Sequence, residues 1–86
     1  MITVWLWDTD GPDRRTQGVS VTDEDARAAC EEILSAGGSF ACVEMARLIF
    51  GAVRAYYELS GYGCTAGVES GRVVWTPCEV IEKRTA

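Results

Sequence analysis

Residues 2–7 constrain the fold more than any other segment of the chain. Their sequence, ITVWLW, is rich in β-branched and aromatic residues and ends at the polar segment DTDGP, which predicts a β-strand. Alternation along a strand would place Ile2, Val4 and Leu6 on one face and Thr3, Trp5 and Trp7 on the other. Because both faces are apolar, we expect this strand inside a sheet and not at its edge. The polar residues 8–18 that follow predict a loop.

The segment between Thr22 and Gly38 has the pattern of an amphipathic helix. Thr22 is a favoured N-cap residue, and the acidic run 23–25 would lie in the first turn, where the helix dipole favours negative charge. Apolar residues recur at a spacing that places them on one side of a helix. They are Ala26, Ala29, Cys30, Ile33 and Leu34. Gly37 and Gly38 predict the end of this helix.

Residues 40–59 allow two interpretations. The polar side chains in this segment have helical spacing, which predicts a second amphipathic helix. They are Glu44, Arg47, Arg54 and Glu58. Against this, residues 40–50 also suit a strand, and Gly51 would cost about 1 kcal/mol in the middle of a helix. Further along, residues 62–76 predict a β-hairpin with Gly71 in its turn.

Several short motifs resemble a group of small, uncharacterised actinobacterial proteins of the Streptomyces type. The motifs are Val-Trp-Leu-Trp-Asp at 4–8, Val-Glu-x-Ala-x-Leu-x-x-Gly at 43–51 and Gly-Arg-Val-x-Trp-x-Pro at 71–77. The resemblance implies a location near integrative or conjugative mobile elements, and it implies no activity. It also implies a strand at 40–50. The fold expected is therefore α+β, with the order β-α-β-β-β and one helix on an antiparallel sheet; the alternative is β-α-α-β-β, with a second helix at 40–59.

Length and charge limit the architecture and the partners. A chain of 86 residues allows one domain, at 1–86, and we expect the charged residues 82–86 to fray. Thirteen acidic against eight basic residues give a net charge of −5, which opposes binding to nucleic acid. The excess lies within residues 1–32. The candidate acidic surface comprises Asp8, Asp10, Asp13, Asp23, Glu24 and Asp25.

The cysteine spacing and the N-terminal residues indicate the cellular compartment. Cys30, Cys42, Cys64 and Cys78 form no C-x-x-C pair, and their pattern leaves free, disulfide-bonded and metal-bound states open. The first residues show no basic n-region, apolar h-region or cleavage site, so we expect no secretory signal, and no apolar run is long enough to span a membrane. We therefore expect a cytoplasmic protein with reduced, buried thiols, no metal, no cofactor and no membrane partner.

The acidic pair after the first strand resembles the first motif of haloacid-dehalogenase-type phosphatases. In that motif, Asp8 would attack phosphorus and Asp10 would handle the proton. Pro12 departs from the motif, the single lysine is Lys83 in the tail, and 86 residues are too few for the large sheet of that family. The chain also has no histidine to act as a base. We therefore expect no catalytic residues and no enzyme activity.

The tryptophans provide the leading functional hypothesis. One helix covers one face of a sheet, so Trp5, Trp7 and Trp75 on the other face would form an exposed apolar surface for a partner. This predicts a non-enzymatic interaction or accessory module that binds itself, as a homodimer, or another protein. Burial of the same rings inside one core remains open. The second hypothesis is an acidic inhibitor or nucleic-acid mimic that acts on a basic partner.

Overall fold

A five-stranded antiparallel sheet with one helix packed on it makes up the structure. The computed structural model describes the backbone of residues 2–79 and the side chains of residues 2–77, so the expected fraying of 82–86 lies outside the described residues. The elements are β1 (Ile2–Asp10), β2 (Arg15–Ser20), α1 (Asp23–Ser35), β3 (Phe40–Phe50), β4 (Ala55–Glu69) and β5 (Arg72–Glu79). The strand order is β2-β1-β3-β4-β5. The expected α+β class is confirmed, as is the interior position of the first strand.

The strand β2 corrects one prediction, because residues 8–18 are not a loop. β1 continues to Asp10, the chain turns where the Gly11 amide donates to the Arg14 carbonyl at 3.0 Å, and β2 pairs back along β1. The sequence RTQGVS lacks the alternation of apolar residues that marks a half-buried strand. Its strand conformation depends on pairing with β1, and the residue pattern of the segment itself does not predict that pairing.

The helix begins and ends where the sequence predicts. The Thr22 hydroxyl accepts a hydrogen bond from the Asp25 amide at 3.1 Å, and the acidic residues occupy the first turn. At the other end, Gly37 has a φ of 114°, a conformation that glycine adopts without strain. The Gly38 amide then donates to the Ile33 carbonyl at 3.1 Å and closes the helix.

Residues 40–59 form strands, so the alternative of a second helix is wrong. The helical spacing of the polar residues has another origin: Arg47 and Glu58 are cross-strand partners in the β3–β4 hairpin. Gly51 lies in the turn of this hairpin, where its amide donates to the Arg54 carbonyl at 3.0 Å. A bulge interrupts the pairing beside Met45, whose carbonyl accepts a hydrogen bond from the Ser60 hydroxyl at 2.9 Å. The tight turn is favourable for glycine, whereas a mid-helix position is not.

The hairpin predicted around Gly71 is confirmed. Ser70 and Gly71 have φ values of 51° and 77°, the pair of positive values that characterises a type I′ turn. The core lies between α1 and the central strands. Its buried members are Ala26, Cys30, Leu34, Ala41, Val43, Cys64 and Ala66. Cys30 and Cys64 are thiols inside this core, as expected, and Cys42 is a half-buried thiol. The Cys78 side chain lies outside the described residues.

Candidate interaction surface

The tryptophans lie on the sheet face that the helix covers. Trp5, Trp7 and Trp75 are half-buried and pack against the core beneath α1. The expectation that they occupy the uncovered face is therefore wrong, because β1 turns its odd-numbered residues toward the helix. The structure brings the three indole rings to the same layer, between the sheet and α1, where they are partly buried and pack against the core. Whether they also contact a partner stays a prediction.

Trp75 connects the edge strand β5 to the helix. Its indole nitrogen donates to the Glu31 carboxylate at 2.7 Å, and the Arg27 guanidinium lies 5.1 Å from the ring centroid. Arg27 and Glu31 are one helical turn apart, so both reach the same ring. A hydrogen bond to a carboxylate together with a cation–π contact fixes the orientation of this ring. Trp75 thus links the helix to β5, at the edge of the sheet opposite β2.

Trp7 lies directly across Gly18 of β2. A Cβ atom added at Gly18 would be 2.2 Å from Cζ2 of the Trp7 ring, far inside ordinary contact distance. Gly18 is the cross-strand partner of Trp7, so the missing side chain leaves the space that the indole fills. The glycine in β2 is therefore part of the packing of the core.

The candidate acidic residues do not form one patch. Asp8, Asp10 and Asp13 lie at the end of β1 and in the turn that follows, whereas Asp23, Glu24 and Asp25 lie at the helix N-terminus. Since Ser20 pairs with Trp5 and Arg15 with Asp10, the helix N-terminus lies near Trp5, about 10 Å along β1 from Asp8 and about 17 Å from Asp10. Two of the carboxylates, those of Asp8 and Asp23, form ion pairs with Arg15 and Arg27. The acidic residues that are close together in the sequence are therefore separated in the structure.

Asp8 has the clearest electrostatic perturbation of these residues. The hydrogen bond from the Arg15 guanidinium lowers the pKa of the Asp8 carboxyl below its ordinary value, although partial desolvation opposes this effect. The Nε atom of Arg15 lies 2.7 Å from Asp8 Oδ1. The Asp8 carboxylate is therefore held by Arg15, which links β1 to β2. Within residues 2–77, no cluster of three metal-ligating side chains occurs.

A shallow groove crosses the sheet face opposite the helix. It has a volume of about 540 Å³, and Asp8 and Glu44 contribute carboxylates to a lining that is otherwise mostly apolar or amide. The remaining lining residues are Leu6, Trp7, Gln17, Gly18, Val19 and Cys42. Glu44 is 8% exposed and has an interaction partner within the protein.

The sheet extends well beyond the helix at one end. A helix of 13 residues is about 20 Å long, whereas the longest dimension of the molecule is 47 Å. The strand before α1 ends at Ser20, which pairs with Trp5, and the strand after α1 begins at Phe40, which pairs with Asp10. The helix therefore lies along the part of β1 between Trp5 and Asp10. Beyond Trp5 the sheet continues as the β3–β4 hairpin, residues 47–60, which we call the arm. The start of β1 runs alongside the arm through the pair Ile2–Leu48.

Large apolar side chains are exposed on the arm. Phe50 is 67% exposed, Tyr56 50% and Tyr57 47%, and Val53 in the turn is 95% exposed. The face opposite the helix carries a lateral row of Ile2, Leu48 and Tyr57 across three strands. The other face is mixed, with Arg47 and Glu58 at 3.7 Å. An exposed apolar cluster of this kind is typical of a contact surface.

Within residues 2–79, part of the arm has no strand paired on its outer side. β5 pairs with β4 from Glu69 back to Tyr62, and the described part of the chain places no strand beside residues 55–61 on that side. β2 likewise pairs with β1 only as far as Trp5. An edge of this kind presents backbone donors and acceptors to a further strand.

Sequence reasoning missed the arm as a functional candidate. Phe50, Tyr56 and Tyr57 are apolar or aromatic, and by themselves they predict core positions. One signal was present: the segment Gly-Ala-Val-Arg at 51–54 separates two apolar runs, which is typical of a hairpin turn. The exposure of this hairpin depends on the length of the helix relative to the strands.

No protein-family model, curated protein or solved structure matches this chain. The resemblance to actinobacterial proteins encoded near mobile elements stays a prediction. Among the described residues, α1 is too short and too polar to cross a membrane.

Proposed function

We propose that this protein is a non-enzymatic protein–protein interaction module that binds through the arm. The observation that carries the proposal is the set of large exposed side chains on the arm: Phe50 and Tyr57 lie on the face opposite the helix, Tyr56 on the other face and Val53 in the turn. Exposed apolar clusters are usually contact sites, and tyrosine supplies a large, rigid contact area.

The tryptophans have a supporting role in this proposal. Trp7 and Trp75 hold β2 and β5 against the helix, and the resulting rigid body presents the arm. A cytoplasmic location belongs to the same proposal, because the buried Cys30 thiol suits a reducing compartment. Actinobacterial origin stays part of the expectation and supplies no argument here.

The alternative of an acidic mimic has weaker support. Its residues form two groups on different parts of the surface, and Asp8 and Asp23 already have arginine partners. A mimic of a phosphate backbone would require closely spaced, unneutralised charges.

Site-specific photo-crosslinking in cells that make the protein tests the proposal. A photoreactive phenylalanine analogue replaces Tyr57 in one variant and Val68, which is 42% exposed near the opposite end of β4, in the matched control. We expect protein adducts from position 57 and few from position 68. Equal yields from both positions, or no adduct from position 57, would refute the proposal. Mass spectrometry of the adduct identifies the partner, whether a second copy of this chain or another protein.

A further inference from the structure

We propose that the outer edge of β2 is a second binding site, which takes an extended segment of a partner protein. In that segment, arginine or lysine alternates with apolar residues. The segment would add to the sheet antiparallel to β2, next to the groove on the face opposite the helix. This inference goes beyond the proposed function, because β2 and the arm are different parts of the sheet.

β2 has an open side within residues 2–79. β1 pairs with one side of β2, and no described strand lies on the other. The last described element, β5, is at the opposite edge of the sheet, four strand spacings or about 19 Å away. Residues 15–20 contain no proline and no lysine, two residues that commonly protect a sheet edge. The one charged side chain among them, that of Arg15, is bound to Asp8 of β1.

The direction of the backbone groups in β2 follows from the preceding turn. The Gly11 amide donates to the Arg14 carbonyl, so these two residues form a hydrogen-bonded pair. Hydrogen-bonded and non-hydrogen-bonded pairs alternate along an antiparallel ladder, and residues 16, 18 and 20 therefore bond to β1. The amides and carbonyls of residues 15, 17 and 19 face away from β1, where an added strand would bond to them.

The groove lies beside this edge and requires a long side chain. Gln17 and Val19 contribute to its lining, and Val19 is 51% exposed. An added strand would lie about 4.8 Å from β2 and about 10 Å from β1. Its side chain must therefore extend over Val19 to reach Leu6 and Asp8. Arginine and lysine have that length, and their apolar stems suit the aliphatic part of the lining.

The charge of the groove face favours a basic segment. The carboxylates of Asp8 and Glu44 line the groove, and that of Asp10 lies beside it, next to the single guanidinium of Arg15. The Asp8 side chain is 30% exposed, so a second cation can approach it. The net charge of the protein is −5. Complementary charge of this kind attracts a basic partner and repels an acidic one.

The other face of an added strand would meet Trp7. The Trp7 ring lies over Gly18, where no side chain separates it from the edge of the sheet. A residue opposite Gly18 in the added strand would therefore contact the indole, and an apolar side chain suits that contact. Because side chains alternate along a strand, basic residues toward the groove and apolar residues toward Trp7 define one repeating pattern.

Two short synthetic peptides test the charge preference. In one, arginine alternates with valine, and in the matched control glutamate replaces every arginine. Each peptide carries a fluorescent label and is titrated with the full-length protein at about 0.15 M salt, with fluorescence anisotropy as the readout. We expect the arginine peptide to bind with a Kd at least about tenfold lower than that of the glutamate peptide.

N-methylation tests whether the peptide adds as a strand. In the antiparallel arrangement, the arginine amides point toward β2 and the valine amides point away from it. Methylation of the arginine amides removes the donors to β2, so we expect Kd to rise about tenfold or more. Methylation of the valine amides is the matched control and should leave Kd unchanged.

Lysine substitutions locate the site on the protein. Val19→Lys places a cation beside the groove, and we expect it to weaken binding of the arginine peptide about tenfold. Val68→Lys makes the same change at a residue of β4 that is 42% exposed, and it should leave Kd unchanged. Thermal unfolding of both variants checks that the fold is retained.

Several results would overturn the inference. One is an arginine peptide that does not bind at about 1 mM. Others are equal binding of the glutamate peptide, equal binding of the two methylated forms, or binding that Val19→Lys does not weaken. A dimer in sedimentation velocity that Val19→Lys disrupts would identify a second copy of the chain as the occupant of the edge. Each of these results leaves the crosslinking test of the arm intact, because the arm does not include β2.

Discussion

Substitution of Gly18 by alanine is the most specific test of the packing beneath the helix. The added Cβ would lie 2.2 Å from Cζ2 and 2.4 Å from Cε2 of Trp7, whereas carbon atoms in contact are about 3.5–4.0 Å apart. The indole must therefore move by about 1.3 Å or more, away from the core that it fills. Overpacking of this kind costs about 1–3 kcal/mol. Gly18 has no positive φ, so alanine recovers about 0.5–1 kcal/mol of strand propensity. The expected net loss in the free energy of unfolding is about 1–2 kcal/mol.

Urea unfolding followed by circular dichroism measures this loss, and Gly67→Ala is the matched control. Gly67 also lies in a strand, but the nearest atom to its added Cβ is the Ser39 carbonyl oxygen at 4.0 Å. We expect this control to be neutral or slightly stabilising. In a Trp7→Leu background, the cost of Gly18→Ala should shrink, because the shorter side chain leaves room for the Cβ. If Gly18→Ala is as stable as Gly67→Ala, the reasoning about Trp7 is wrong.

Three further predictions concern single groups. Thr9 is 1% exposed, and its hydroxyl has no hydrogen-bond partner among the described residues. Thr9→Val should therefore raise the free energy of unfolding by about 1 kcal/mol, as measured by chemical denaturation. A decrease in that free energy would mean that the hydroxyl is hydrogen-bonded. Burial raises the pKa of the Cys30 thiol to about 12, so mass spectrometry should show alkylation of Cys30 at pH 8 only in denaturant, and labelling of the native protein would contradict its burial. Arg15 lowers the pKa of Asp8, so this carboxylate stabilises the fold above pH 4 and the stabilisation is lost as the pH falls through the lowered pKa. Asp8→Asn should therefore flatten the stability profile below pH 4, and an unchanged profile would show that the ion pair contributes nothing.

Local patterns predicted much of the fold. The helix between Thr22 and Gly37 has a cap, an apolar side and a stop signal that all agree, and the turn at Gly71 follows from its residue types. The strand β2 was missed because the partner that makes it a strand is β1. The segment 40–59 was ambiguous, since cross-strand pairing of Arg47 with Glu58 produces the same spacing as one side of a helix.

The candidate surface could not be predicted from residue types alone. The tryptophans were expected on the uncovered face because alternation defines two faces but does not say which one the helix covers. Likewise, Tyr56 is exposed because the sheet extends beyond the helix, and Phe50 and Tyr57 are exposed on the face that α1 does not cover. Both relations join elements that lie apart in the sequence. Apolar residues indicate burial in general, and only the three-dimensional arrangement shows which of them the fold leaves uncovered.

Amide hydrogen exchange of the arm, residues 47–60, tests the central claim most directly. It is measured with and without the partner that crosslinks to position 57, at two partner concentrations. Binding through the arm would protect its amides, and the protection would increase with partner concentration because binding follows mass action. Amides in the core of β3, such as that of Val43, should show no such dependence. The account predicts protection confined to the arm. Exchange of the arm amides at the same rate with and without the partner would contradict it.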